Sequence, residues 1–264
     1  MKLLVMGAGY VGMALLEYLK HEEHEIYVTT KDAGKVDLLK PYAKEVILLE
    51  SLDDVDVLID ACDGMIILIA PKNKESYEDT YLSMAKKVSS RLKGREKPFY
   101  LLYTSSTSVY EGIDNKLAME DLILEPKSEN AKILLETEKL LLSSTTACVL
   151  RLGGIFGPNR EISKRALHLV GKKMPGSGDE PTNHIHLDDI VKAIAFCLKH
   201  RLTGIYNLVN NDHPTRKELY PNCLWDLSLP HIKKDYEVSN RKILDAGFTL
   251  SQSLKSALHT NHLK

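Results

Sequence analysis

KLLVMGAGYVG (residues 2–12) runs a short apolar stretch straight into glycines spaced G-x-G-x-x-G. The spacing alone is a weak signal, because glycine-rich turns without a ligand also fit it. Context gives it weight: Leu3–Met6 reads as a strand, and the apolar stripe that starts at Val11 reads as a helix. In that setting Gly7 permits the tight turn, Gly9 lets the backbone approach a pyrophosphate, and Gly12 lets helix and strand pack closely. The helix N-terminus adds unpaired N–H groups and partial positive charge. The stretch predicts a dinucleotide site built from Gly7, Gly9, Tyr10, Val11 and Gly12.

The rest of the chain repeats the strand–helix alternation. Leu3–Met6, Ile26–Thr29, Val46–Leu49, Met65–Ala70, Phe99–Tyr103, Thr146–Leu152 and Ile205–Val209 are apolar runs of the kind that both faces of a parallel sheet bury. Between them lie helical stripes: Val11, Ala14, Leu15, Tyr18 and Leu19; Tyr81, Met84, Ala85, Val88 and Leu92; Ile190, Ala193, Ile194, Cys197 and Leu198. This predicts an α/β fold, a Rossmann-type doubly wound parallel sheet. After Phe156 the pattern loosens, with Pro158, Pro175, Pro181, Pro214, Pro221 and Pro230 interrupting it. We read residues 1–155 as the dinucleotide-binding domain. Residues 156–264 read mostly as a smaller C-terminal substrate lobe, with 184–210 returning a helix and a strand to the sheet. Ligands of doubly wound sheets bind outside the carboxyl ends of the strands, where such a lobe closes a substrate pocket.

The end of the second strand distinguishes one dinucleotide from another. An acid there bonds the ribose 2′-hydroxyl of NAD, and a cation accepts the 2′-phosphate of NADP. The chain has Thr30 at the usual acid position and Lys31 next, which favours NADP over NAD, with Asp32 as the opposing signal. Ala70 and Pro71, after the fourth strand, are expected to border the adenosine half. The composition excludes other classes. Lys plus Arg (35) nearly balance Asp plus Glu (36) and the charge runs are short, which argues against nucleic-acid and membrane-surface partners. Cys62, Cys148, Cys197 and Cys223 are too far apart for a zinc site or a disulfide framework, and three of them sit in apolar surroundings and read as buried free thiols. MKLLVMGAG is too short an apolar run for a signal peptide or a membrane span, so the expectation is a soluble, cytoplasmic protein. The amphipathic helices suit a homodimer interface and packing on the sheet equally well.

One motif remains. Thr104-Ser105-Ser106-Thr107-Ser108 crowds five hydroxyls after the fifth strand and is followed by Val109-Tyr110. No G-x-S-x-G elbow surrounds it, so it is not a hydrolase nucleophile. With the glycine fingerprint, Arg151-Leu152-Gly153-Gly154-Ile155-Phe156-Gly157-Pro158, His184-Ile185-His186-Leu187-Asp188-Asp189 and Gly204-Ile205-Tyr206-Asn207, the row resembles the extended short-chain dehydrogenases/reductases. That family includes nucleotide-sugar epimerases and dehydratases. The resemblance covers nearly the whole chain. It implies that Ser106, four residues before Tyr110, holds the substrate's reacting oxygen. It also places Thr104 and Ser105 on the cofactor side and makes His186 and Asp189 a structural pair. By itself, Asp188 or Asp189 reads as a plain helix N-cap.

The chain departs from the family at Tyr-x-x-x-Lys, the usual proton relay. Anchoring on Pro126 and Glu138 puts Asn130 at the tyrosine and Leu134 at the lysine; a shifted register pairs Ser128 with Lys132. An asparagine amide has no usable proton, so the relay is absent. The resemblance is therefore closest to the atypical branch that lacks it. Three replacements are open: Tyr110 swinging in, Lys132 acting as an acid if buried, or the substrate or a water chain supplying the proton. Two functions follow. One is an NAD(P)-dependent oxidoreductase or epimerase/dehydratase acting on a small polar substrate such as a nucleotide sugar. The other is an NAD(P)-binding sensor or scaffold without turnover.

Overall fold

The computed structural model of the chain describes residues 1–52, 54–71, 77–230 and 235–254. Seven strands form its main sheet: β1 (Lys2–Met6), β2 (Glu25–Thr30), β3 (Glu45–Leu48), β4 (Gly64–Ile67), β5 (Tyr100–Ser106), β6 (Thr146–Leu152) and β7 (Gly204–Leu208). Their order is β7-β6-β5-β4-β1-β2-β3. The β1–β2, β1–β4, β2–β3 and β4–β5 pairings are parallel, with Met6 opposite both Thr29 and Ile67. The strand order reverses between β1 and β4, the position at which doubly wound sheets bind ligands. This is the Rossmann-type sheet expected from the sequence.

The strands are apolar on both sides because both sides are covered. Leu3, Leu4, Val5, Met65, Ile66, Leu101 and Leu102 are all fully buried. The helices that accompany the strands include α1 (Tyr10–Leu19), α2 (Asp54–Ala61), α3 (Ser83–Leu92), α4 (Glu129–Ser144) and α5 (Leu187–His200). All five residues of the Tyr81–Leu92 stripe and all five of the Ile190–Leu198 stripe are buried. In α1 the buried face is Gly12, Leu15, Leu16 and Leu19, and Tyr18 is exposed. The four cysteines are buried and free.

Two strand ends differ from the sequence reading by more than one residue. β4 stops at Ile67 rather than Ala70, and β5 runs on through Thr104, Ser105 and Ser106. Those three hydroxyls therefore belong to the strand. Only Thr107–Tyr110 form the turn beyond it, a single turn of 3₁₀-helix that Ser106 caps.

The chain divides into two compact units that interleave in sequence. The first comprises Met1–Ser105, Lys132–Leu150 and Val191–Ile205; the second comprises Ser106–Ala131, Arg151–Ile190 and Tyr206–Lys264, of which 231–234 and 255–264 lie outside the described residues. The second unit has its own apolar core of Phe156, Ile162, Leu219, Tyr220, Cys223 and Leu254. Short parallel strand pairs frame it, Gly154–Phe156 with His184–His186 and Lys173–Pro175 with Leu224–Asp226. Among the described residues no helix is long and apolar enough to cross a membrane.

Candidate functional site

In the first unit the glycine turn has the geometry its sequence predicts. Gly7 lies at φ +105°, a conformation that strains any side chain, and a Cβ there would come within 3.0 Å of the Leu68 backbone. At Gly12 a Cβ would sit 2.0 Å from the Gly7 carbonyl oxygen, so turn and helix pack without room for one methyl group. Gly9 is different. It is exposed, and a Cβ on it would meet nothing within 4 Å. The open side of Gly9 is where a ligand backbone can come close. Gly9 is also the N-cap of α1, which has no side-chain cap and no acid in its first turn. The positive end of the helix dipole is thus left for an anion. The residues present fit a dinucleotide pyrophosphate, and Tyr10 and Val11 supply the first two residues of that helix.

The segment after β4 runs beside this turn, since Leu68 N–H donates to the Met6 carbonyl at 2.8 Å. Ala70 is exposed and Pro71 half-buried just beyond it. At the end of β2, Thr30 is buried and Lys31 and Asp32 are exposed. The Thr30 hydroxyl accepts the Asp32 N–H at 3.1 Å, and Asp32 Oδ1 accepts the Gly34 N–H at 3.0 Å. Asp32 thus caps the short 3₁₀ turn Ala33–Lys35. The last residue of that turn was not singled out in the sequence: Lys35 Nζ donates to the Ala8 carbonyl of the glycine turn at 3.4 Å.

The hydroxyl row divides its work residue by residue. Thr104 Oγ1 donates to the Ile67 carbonyl at 3.2 Å, joining β5 to the end of β4. Ser105 Oγ donates at 2.6 Å to Glu138, a buried carboxylate on α4. The Thr104 and Ser105 hydroxyls are therefore engaged with the protein itself. In the second unit, Ser106 Oγ accepts from both the N–H (3.2 Å) and the hydroxyl (2.8 Å) of Ser108. The Ser108 N–H thus holds Ser106 Oγ in place, and a hydroxyl pair can donate in either direction, so Ser106 is able to offer its hydrogen to a ligand when Ser108 donates to it.

Neither alternative proton donor is placed as that role requires. Tyr110 is fully buried; its hydroxyl donates to Asn207 Oδ1 and accepts from Arg151 Nη1, each at 2.8 Å. Burial pushes its pKa above the ordinary value, although the Arg151 guanidinium over its ring pulls the other way. Asn207 in turn is held by Glu120, which accepts its N–H at 2.7 Å, and by the Ser239 carbonyl at 3.0 Å. Swinging Tyr110 out would break both of these buried hydrogen bonds, to Arg151 and to Asn207. Lys132 lies exposed on α4, so the burial that would make it an acid is missing. Leu134, at the family's lysine position, is buried, and the Ser128 hydroxyl accepts the Ala131 N–H at 3.3 Å as a helix cap.

The two histidines of His184-Ile185-His186 have separate roles. His186 Nδ1 accepts the Asp188 N–H at 3.2 Å and so caps α5. Asp189 does not cap that helix: its buried carboxylate accepts hydrogen bonds from Ser251 and Gln252. His184 packs edge-on near Phe156, and its Nδ1 has no partner among the described residues. Burial, with a smaller push from Arg165, lowers its pKa from 6.5 to about 4. A histidine kept neutral in the fold but free to protonate when unfolded takes stability away as pH falls through 6.5 towards 4. The expected loss from this residue is about 2 kcal/mol between pH 8 and pH 5. Urea unfolding at both pH values checks it, since His184→Phe should reduce the loss by that amount.

Comparison with known proteins follows the same lines. The family described as "NAD dependent epimerase/dehydratase family" matches residues 3–209. No curated protein matches the chain. Among solved structures, the chain is similar to a dTDP-glucose 4,6-dehydratase from Bacillus anthracis in complex with NAD, at 16% identity and TM-score 0.81, covering 98% of this chain and 94% of that one. It is also similar to a UDP-glucuronic acid 4-epimerase from Bacillus cereus in complex with UDP-glucuronic acid and NAD (18%, TM-score 0.79, 98% and 97% covered). A functionally unknown conserved protein from Silicibacter pomeroyi matches at 20% identity and TM-score 0.72, with 95% and 94% covered. At these identities the likeness establishes the fold.

Proposed function

Since the chain belongs to the NAD dependent epimerase/dehydratase family, we propose that it is an NAD(P)-dependent oxidoreductase or epimerase/dehydratase-like enzyme acting on a small polar substrate such as a nucleotide sugar. The observation that carries this reading is the glycine turn, closed to a side chain at Gly7 and Gly12 and open at Gly9. The bound cofactor would supply a nicotinamide that exchanges hydride with the substrate. Gly7–Gly12 would hold its pyrophosphate, with Ala70 and Pro71 bordering the adenosine. Lys31 beside Thr30 supports NADP over NAD. Ser106 would donate its hydroxyl hydrogen to the substrate's reacting oxygen, held in orientation by Ser108. The relay proton would come from the substrate or a water chain, because neither Asn130 nor the committed hydroxyl of Tyr110 can release one. Buried unpaired thiols suit a cytoplasmic setting.

One observation favours a second reading, an NAD(P)-binding sensor: Leu134 is buried where the family's lysine would stand, and Lys132 is exposed. Ser106→Ala separates the two. In an enzyme it should lower turnover of a nucleotide-sugar substrate by about 100-fold, a loss typical of one transition-state hydrogen bond, while cofactor affinity stays unchanged. A parent protein that binds NADPH yet turns over no member of a nucleotide-sugar panel is the sensor. If calorimetric titration shows neither NADPH nor NADH binding at millimolar concentration, both readings fail.

A further inference from the structure

We propose that Lys35, rather than Lys31 alone, is the residue that reads the adenosine ribose, and that it selects a ribose bearing a 2′-phosphate. The inference rests on the dinucleotide reading above and deepens it. Lys31 and Asp32 stand side by side at the end of β2 with opposite implications, and the structure gives them different tasks. Asp32 Oδ1 accepts the Gly34 N–H at 3.0 Å, and its own N–H is bound to the Thr30 hydroxyl at 3.1 Å. One oxygen of this carboxylate is thereby committed to its own loop, which competes with the role of a ribose-diol acceptor. What the cap achieves is the 3₁₀ turn Ala33–Lys35, closed by the Lys35 N–H on the Asp32 carbonyl at 3.0 Å. That turn sends the Lys35 side chain back across to the glycine turn, where Nζ reaches the Ala8 carbonyl at 3.4 Å.

The position is informative because two anchors of the adenosine half meet there. The glycine turn fixes the pyrophosphate, and the end of β2 fixes the ribose. An ammonium tied between them by one of its three N–H donors keeps the other two for an anion. It is also half-buried, so its charge is screened less than that of exposed Lys31. A ribose 2′-phosphate is the anion that fits, at neutral pH largely a dianion. The acid that elsewhere marks an NAD site here serves to place the cation that marks an NADP site.

The test is calorimetric titration of the whole protein with two adenosine fragments, 5′-AMP and 2′,5′-ADP, and with NADH and NADPH. The parent should bind 2′,5′-ADP at least ten-fold more tightly than 5′-AMP, and NADPH over NADH in the same ratio. Lys35→Ala should remove most of that advantage while leaving 5′-AMP and NADH within two-fold of the parent. Lys31→Ala should remove less. An advantage that survives Lys35→Ala, or a parent that binds the two fragments equally, overturns the assignment while the dinucleotide reading stands. If no nucleotide binds at all, the dinucleotide reading itself is lost and this one with it. Thermal unfolding of Lys35→Ala guards against a misfolded variant, and Lys35→Arg, which keeps the charge, should retain the preference.

Discussion

Gly9→Ala is expected to fold normally and lose cofactor binding by at least 100-fold, whereas Gly12→Ala is expected to lose both binding and stability. The contrast follows from what each new methyl group meets. At Gly9 it meets nothing within 4 Å, and the backbone there, φ −85° and ψ −154°, suits alanine. As an N-cap, alanine is inferior to glycine by less than about 1 kcal/mol, so the melting temperature should hardly move. The methyl group would nevertheless occupy the space through which a pyrophosphate approaches the helix N-terminus. At Gly12 the methyl group lies 2.0 Å from a backbone oxygen that no rotamer change can move. Helix α1 must lift from β1, at a cost above the roughly 1–3 kcal/mol of ordinary overpacking. Calorimetric titration with NADPH alongside thermal unfolding distinguishes the outcomes. A Gly9→Ala protein that binds NADPH as tightly as the parent would show that the open side of Gly9 is not where the cofactor lies.

The same glycines explain where the sequence could be read and where it could not. Stripes carried by large side chains, Tyr81–Leu92 and Ile190–Leu198, are read correctly because each residue that faces the sheet is apolar. In α1 the face is set by Gly12, which scores as nothing in an apolar pattern, so the stripe is misread by one position and Tyr18 replaces Leu16. The hydroxyl row misleads in the opposite direction. Five adjacent hydroxyls read as lying beyond the fifth strand, yet Thr104 and Ser105 find partners across the fold, Ile67 and Glu138, and the strand continues through them. Lys35 was out of reach for a related reason. Its position depends on a 3₁₀ turn that Asp32 caps, and a one-dimensional reading sets Asp32 and Lys31 as rivals without linking either to the residue after the turn. Local propensity and pattern identify elements; partners distant in sequence decide which side chains remain free for a ligand.

The largest loss of stability is expected at Asp189, a residue the proposed chemistry does not use. Its carboxylate is fully buried in the second unit. Oδ1 accepts the Ser251 N–H at 2.8 Å and its hydroxyl at 2.6 Å, and Oδ2 accepts the Gln252 N–H at 3.1 Å. Asp189→Ala removes the acceptor of three buried hydrogen bonds, which should cost about 3–5 kcal/mol and lower the melting temperature by about 6–15 °C in a chain of this size. Leu254, three residues beyond Ser251, is wholly buried in the core formed with Phe156, Ile162 and Leu219. Releasing the 251–252 segment therefore loosens apolar packing as well as hydrogen bonds. Asp188→Ala is the control: that side chain is exposed, and its backbone N–H, which His186 accepts, survives the substitution, so the change should stay within about 0.5 kcal/mol. Equal melting temperatures for the two variants would remove the clamp from the account of stability. If the role of Asp189 is structural, Asp189→Ala below its melting temperature should bind NADPH as the parent does, because every glycine of the turn belongs to the first unit.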